Sequence, residues 1–73
     1  MRQWQSHLSD NGLRTAIKSV GGVQALASLL GLNRQSIYQW RRVPAERVVQ
    51  VEKITGVLRN VLRPDLYEGW KKQ

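Results

Sequence analysis

Between Leu13 and Leu62 the apolar residues recur at intervals of three and four, and glycine or proline stops each run within a few turns. That spacing gathers side chains on one face of a helix, and such stops keep every helix short. Leu13, Ala16, Ile17 and Val20 make the first stripe, ahead of Gly21-Gly22, with Ser9, Asp10 or Asn11 available to cap its start. Val23, Leu26, Ala27 and Leu30 make the second, closed by Gly31, with Gln24 and Ser28 pointing out. Asn33 caps a third helix from Arg34 to about Arg41, in which Ile37 and Trp40 face inward while Gln35, Tyr38, Gln39 and Arg42 face away. Pro44 opens a fourth helix, Ala45 to Thr55, with Val48, Val51 and Thr55 on one side, Ile54 at its edge and Gly56 at its end. A short fifth helix or turn covers Leu58 to Leu62, and Pro64 breaks it. No strand is required, although Val48-Val49 and Val57-Leu58 leave room for a short one.

These elements divide the chain into a polar lead-in (1–9), a helical domain (10–67) and a tail (68–73). Leu66, Tyr67 and Trp70 can still pack back onto the domain. At 73 residues the chain is one domain, of a size that buries only about 60% of its unfolded surface. There is no cysteine to add a disulfide or a thiolate metal site, and the single His7 cannot build a metal site alone. The absence of cysteine fits a reducing, cytoplasmic setting. No segment is long and apolar enough to span a bilayer, and Met1 to Asp10 does not read as a signal peptide.

Twelve Lys and Arg against five Asp and Glu give a formal charge of +7, which attracts polyanions. An anionic membrane surface would need a basic amphipathic helix with a broad apolar face, and the third helix is too polar for that. From Gly21 to Ala45 there is no acidic residue at all, so nothing along that stretch repels phosphate. The same stretch meets the demands of a helix-turn-helix. Ala27 is the small residue where the second helix must let the next one cross. Gly31 tolerates the positive φ of the turn. Leu32 locks the turn, and Ile37 and Trp40 anchor the next helix from inside. A recognition helix sets its N-terminal residues against base edges. Arg pairs bidentately with guanine and Gln with adenine. Arg34, Gln35, Ser36 and Gln39 are therefore the candidate base contacts, and Gln24, Tyr38, Arg41 and Arg42 the candidate backbone contacts.

Gly21-Gly22, Ala25-Leu26-Ala27, Leu30-Gly31, Ile37-Tyr38-Gln39-Trp40, Val43-Pro44-Ala45-Glu46-Arg47 and Leu62-Arg63-Pro64-Asp65-Leu66-Tyr67 appear in that order. Over roughly residues 12–67 the chain resembles the YdaS/Cro-like family of prophage helix-turn-helix regulators. The resemblance implies a five-helix Cro-type fold, operator binding and a part in a phage or prophage switch. It places the family's DNA-reading positions on Arg34, Gln35, Ser36, Tyr38 and Gln39. Members of the family are also assigned to toxin–antitoxin pairs. The first nine residues extend beyond the usual start.

Several residues have a plainer reading. Trp40, beside Ile37, reads as a core anchor rather than a base-stacking ring. Tyr38 has two open readings: its hydroxyl on a phosphate, or its ring packed at the helix edge. Gln24 sits at a helix start, where amides and dipole favour a phosphate. Arg14 and Lys18 read as a solvated face, and His7 as an exposed histidine. Glu52 can bridge to Arg59 or another Arg as an exposed pair, and Asp65 can cap a turn after Pro64. Neither carboxylate has the partner that acid–base catalysis needs, and no Ser-His-acid set or phosphate loop is present.

The expectation is an all-α, compact bundle of about five short helices with a Cro/lambda-repressor-like helix-turn-helix. It is a sequence-specific double-stranded DNA-binding repressor, not an enzyme, with no cofactor, no metal, no membrane and no small-molecule substrate. Its partner is operator DNA, bound by a weak homodimer that forms on the DNA. Val49, Leu58, Val61, Leu66 and Trp70 are apolar beyond the needs of the core and suit that contact. The alternative is a component of a toxin–antitoxin pair acting mainly through a protein partner.

Overall fold

Asp10 opens the helical core, because its carboxylate Oδ1 accepts the Leu13 amide at 2.9 Å and so caps the first helix. The computed structural model describes residues 10–70. The lead-in at 1–9, with His7, lies outside them. Five α-helices follow one another: α1 (Asn11–Val20), α2 (Val23–Leu30), α3 (Arg34–Gln39), α4 (Val48–Thr55) and α5 (Arg59–Leu62). The described residues contain no strand. The protein is an all-α bundle, as its periodicity requires.

The core is drawn from every helix. Leu13 and Ala16 of α1, Leu26, Ala27 and Leu30 of α2, Ile37 of α3, Val48 and Val51 of α4 and Leu62 of α5 are buried together with Val43. α1 is the central element and packs against α2, α4 and α5; α2 also packs on α3 and α4. The tightest approach is between α1 and α5. A Cβ placed on Gly12 would lie 2.6 Å from the Leu62 carbonyl oxygen, so only glycine lets the two backbones meet there.

Three expectations need correction. The third helix ends at Gln39, not near Arg41, and Trp40 leaves it in extended conformation (φ −73°, ψ 132°). Trp40 is therefore half-buried against the core, and Val43, just before Pro44, becomes the fully buried residue of this segment. Pro44 disfavours helical backbone at Val43, so the helix must end before that residue, and Val43 rather than a further helical turn fills the core there. The fourth helix is also shorter than expected. Ala45–Arg47 is a 3₁₀ turn, closed by the Arg47 amide donating to the Pro44 carbonyl at 2.9 Å, and α4 proper begins at Val48.

The third correction concerns Glu52 and Arg59, which do not form an exposed pair. Glu52 accepts the Arg59 backbone amide at 2.8 Å and its guanidinium at 2.7 and 3.1 Å, and both side chains are mostly enclosed. On its other side the Arg59 guanidinium lies 4.6 Å from the Trp70 ring centroid and 5.8 Å from that of Tyr67. Tyr67 and Trp70 thus pack back while Leu66 stays exposed.

Candidate nucleic-acid interface

The turn between α2 and α3 fixes the geometry of everything that follows. Gly31 sits at φ 72°, in the left-handed region, and its amide donates to the Ser28 carbonyl at 3.2 Å. The next amide, Leu32, reaches back to the Ala27 carbonyl at 2.8 Å. This is a Schellman closure, with Leu32 packed against the core as its apolar lock. Ala27 is fully buried, as a small residue between two close helices must be. Two residues after Gly31, Asn33 starts α3, its Oδ1 accepting the Ser36 amide at 3.0 Å. The reversal from α2 into α3 is thereby determined by a glycine, a leucine and an asparagine.

α3 is held from inside by Ile37, which is fully buried. Arg34, Gln35 and Gln39 are exposed, and their side chains make no hydrogen bond or ion pair among the described residues. Their donors and acceptors are open to an incoming ligand. Ser36 is half-buried, and its hydroxyl donates to Asn33 Oδ1 at 3.2 Å, which leaves its lone pairs as acceptors. Tyr38 is half-buried with its ring against the core, so it does not lie on the fully outward face expected for it. At about 100° per residue it follows Ile37 round the helix and stops at the edge of the buried side.

Gln24 is exposed on the first turn of α2, its amide nitrogen 3.5 Å from the Ser28 hydroxyl. The N-cap of α2 is Gly22, which offers no side-chain acceptor to the first-turn amides. Arg41 and Arg42 are exposed on the bend that follows α3. Arg41 has no partner among the described residues. Arg42 lies 3.6 Å from the Asp65 carboxylate.

Asp65 does not act as the simple turn cap expected of it. It is gripped by Arg63, whose Nε and Nη2 donate to its two carboxylate oxygens at 2.9 and 2.7 Å. These bonds lower the Asp65 carboxyl from the ordinary 3.8 to about 2. Arg63 Nη1 also donates to the Val43 carbonyl at 2.9 Å, tying the segment behind α3 to the turn after α5. Sequence reasoning missed this tie. The Arg63-Pro64-Asp65 spacing was visible, but nothing in it pointed to a carbonyl twenty positions earlier.

Among the described residues no helix is long and apolar enough to cross a membrane. No solved structure matches the chain significantly. A relative from Escherichia coli (strain K12), named "Putative transcriptional regulator YdaS", is 42% identical over 73% of this chain and 60% of its own length. The chain therefore spans less than two thirds of that relative. Residues 13–71, from the first buried leucine of α1 to the residue after Trp70, match the family described as Bacterial toxin YdaS. All of α2 to α5, most of α1, and Tyr67 and Trp70 fall within that match, and the chain belongs to the YdaS family.

Proposed function

We propose that this chain is a transcriptional regulator that binds double-stranded DNA sequence-specifically, as a Cro-like prophage repressor, by placing α3 in the operator major groove. The observation that carries the reading is the outer face of α3. It presents Arg34, Gln35 and Gln39 with open hydrogen-bonding groups, on a helix fixed by the Gly31 turn, in a stretch without a single acid. Arg34, Gln35 and Gln39 pair with base edges, and the Ser36 hydroxyl accepts from a base amino group. Gln24, Tyr38, Arg41 and Arg42 contact the sugar-phosphate backbone. The name of the E. coli relative supports a regulator. The protein is a binder and not an enzyme, and it works without cofactor or metal.

The test is a fluorescence-anisotropy titration against a duplex that the protein itself selects from a random-sequence library, and against a shuffled duplex of the same composition. Gln35→Ala and Gln39→Ala should fold as the parent does. Each should lose about 1–3 kcal/mol on the selected duplex and much less on the shuffled one. Variants that discriminate as well as the parent would show that α3 is not the reader.

The family's description as a toxin favours a second reading, in which the chain belongs to a toxin–antitoxin pair and works mainly through a protein partner. On that reading the parent selects no sequence from the library, and growth arrest on expression survives the Gln35→Ala and Gln39→Ala changes.

A further inference from the structure

Arg42 stands apart from the other cations of the reading region. Its neighbour Arg41 has no acidic partner among the described residues, whereas the Arg42 Nη1 faces Asp65 Oδ2 at 3.6 Å. That distance is too long for a hydrogen bond and short enough for the modest attraction of an exposed ion pair. Both side chains are about half exposed, 55% for Arg42 and 47% for Asp65, so a phosphate can reach the same guanidinium. Asp65 itself is not free to follow Arg42 outward. Arg63 grips both of its oxygens, is only 12% exposed, and is anchored in turn on the Val43 carbonyl. A fixed carboxylate therefore stands beside a movable arginine, at the exit of the helix that carries the candidate base contacts.

We propose that Asp65 is a selectivity residue for DNA binding: it holds Arg42 back from phosphate, so that Arg42 engages the backbone only where other contacts have already fixed the register. The inference rests on the DNA-binding reading above and deepens it. Non-specific affinity comes almost wholly from Lys and Arg on phosphates. A cation that must first leave a fixed carboxylate adds little to a loosely docked complex. At the cognate site α3 holds the protein in one position, the nearby phosphate stays within reach of Arg42, and the exchange of Asp65 for phosphate becomes favourable. Arg41, with no such partner, contributes to both kinds of complex.

The experiment is a set of salt titrations on the selected and shuffled duplexes, with parent, Asp65→Asn, Arg42→Gln, Arg41→Gln and the Asp65→Asn/Arg42→Gln double variant. Asp65→Asn should tighten binding to the shuffled duplex about twofold to fivefold, the range of an exposed ion pair. It should steepen the salt slope on that duplex by about one, and narrow the ratio between the two duplexes. In the parent background Arg42→Gln should change the shuffled-duplex slope far less than Arg41→Gln does. In the Asp65→Asn background it should remove the whole gain.

If Asp65→Asn has the same effect with and without Arg42, only overall charge is at work and the proposal is wrong. Weaker binding of Asp65→Asn to both duplexes, with a lower melting temperature, makes Asp65 purely structural and equally overturns it. Should Asp65→Asn fail to fold, the comparison of Arg41→Gln with Arg42→Gln decides, and equal slope losses refute the proposal. A parent that binds neither duplex overturns the DNA reading and this inference together.

Discussion

Ile37 and Trp40 carry the clearest difference between spacing and structure at the scale of single residues. A helix running through Arg41 would stack them as equal anchors, three positions apart on one face. The helix stops at Gln39, so Ile37 is fully buried and Trp40 lies half-buried on the chain that leaves it. Ile37→Ala should therefore cost about 2–5 kcal/mol, as for a buried aliphatic residue. Trp40→Ala should cost about half the roughly 3–5 kcal/mol of a fully buried Trp. Melting followed by circular dichroism ranks the two, and a larger loss for Trp40→Ala would mean that the ring, not Ile37, anchors α3. The same early stop accounts for what spacing could not reveal. Val43 takes the buried place, and nothing in the periodicity of a helix marks a residue beyond its end.

At the scale of elements, what could be read from the sequence divides along physical lines. Caps and stops are local, so Asp10, Asn33, Gly31 and Gly56 were legible at the ends of their helices. The buried stripes of α1 and α2 were legible because one helix carries its own pattern. Gly12 was not, since its role exists only where α1 meets α5, and no local pattern encodes that meeting. The same holds for Arg63 and the Val43 carbonyl, and for the enclosure of Glu52 with Arg59 beneath Trp70. In an exposed helix Gly→Ala stabilises by about 1 kcal/mol. Gly12→Ala should reverse that sign and destabilise by about 1–3 kcal/mol, because its methyl group would drive the Val61 and Leu62 carbonyls away from α1. Denaturant unfolding measures it, and a stabilised Gly12→Ala protein would show that α1 and α5 are not in backbone contact in solution.

Charge and apolar surface are distributed over the whole molecule in a way that bears on assembly. Of the five acids, Asp10 caps α1, Glu52 is closed in with Arg59, and Asp65 is held by Arg63. None lies on α2 or α3, although Asp65 stands beside Arg42 just beyond them. Yet α3 has only six residues, and one such helix spans only a few base pairs. Specific sites are usually read by two recognition helices about 34–36 Å apart. Among the residues suited to a dimer contact, Leu58 and Trp70 are half-buried within the chain, and Trp70 covers Arg59. Val49, Val61 and Leu66 remain exposed at 37%, 44% and 48%, on α4, on α5 and in the turn after α5. Single exposed apolar residues are ordinary, so a contact they made between two copies would be weak and would need DNA to bring the copies together. The protein should therefore sediment as a monomer alone, and as two chains on a palindromic duplex built from its selected half-site. Val61→Lys should leave binding to a single half-site unchanged while abolishing the cooperative second step. One chain per complete site at saturation, or undiminished cooperativity in Val61→Lys, would rule out this arrangement, the first by removing the dimer and the second by moving its contact elsewhere.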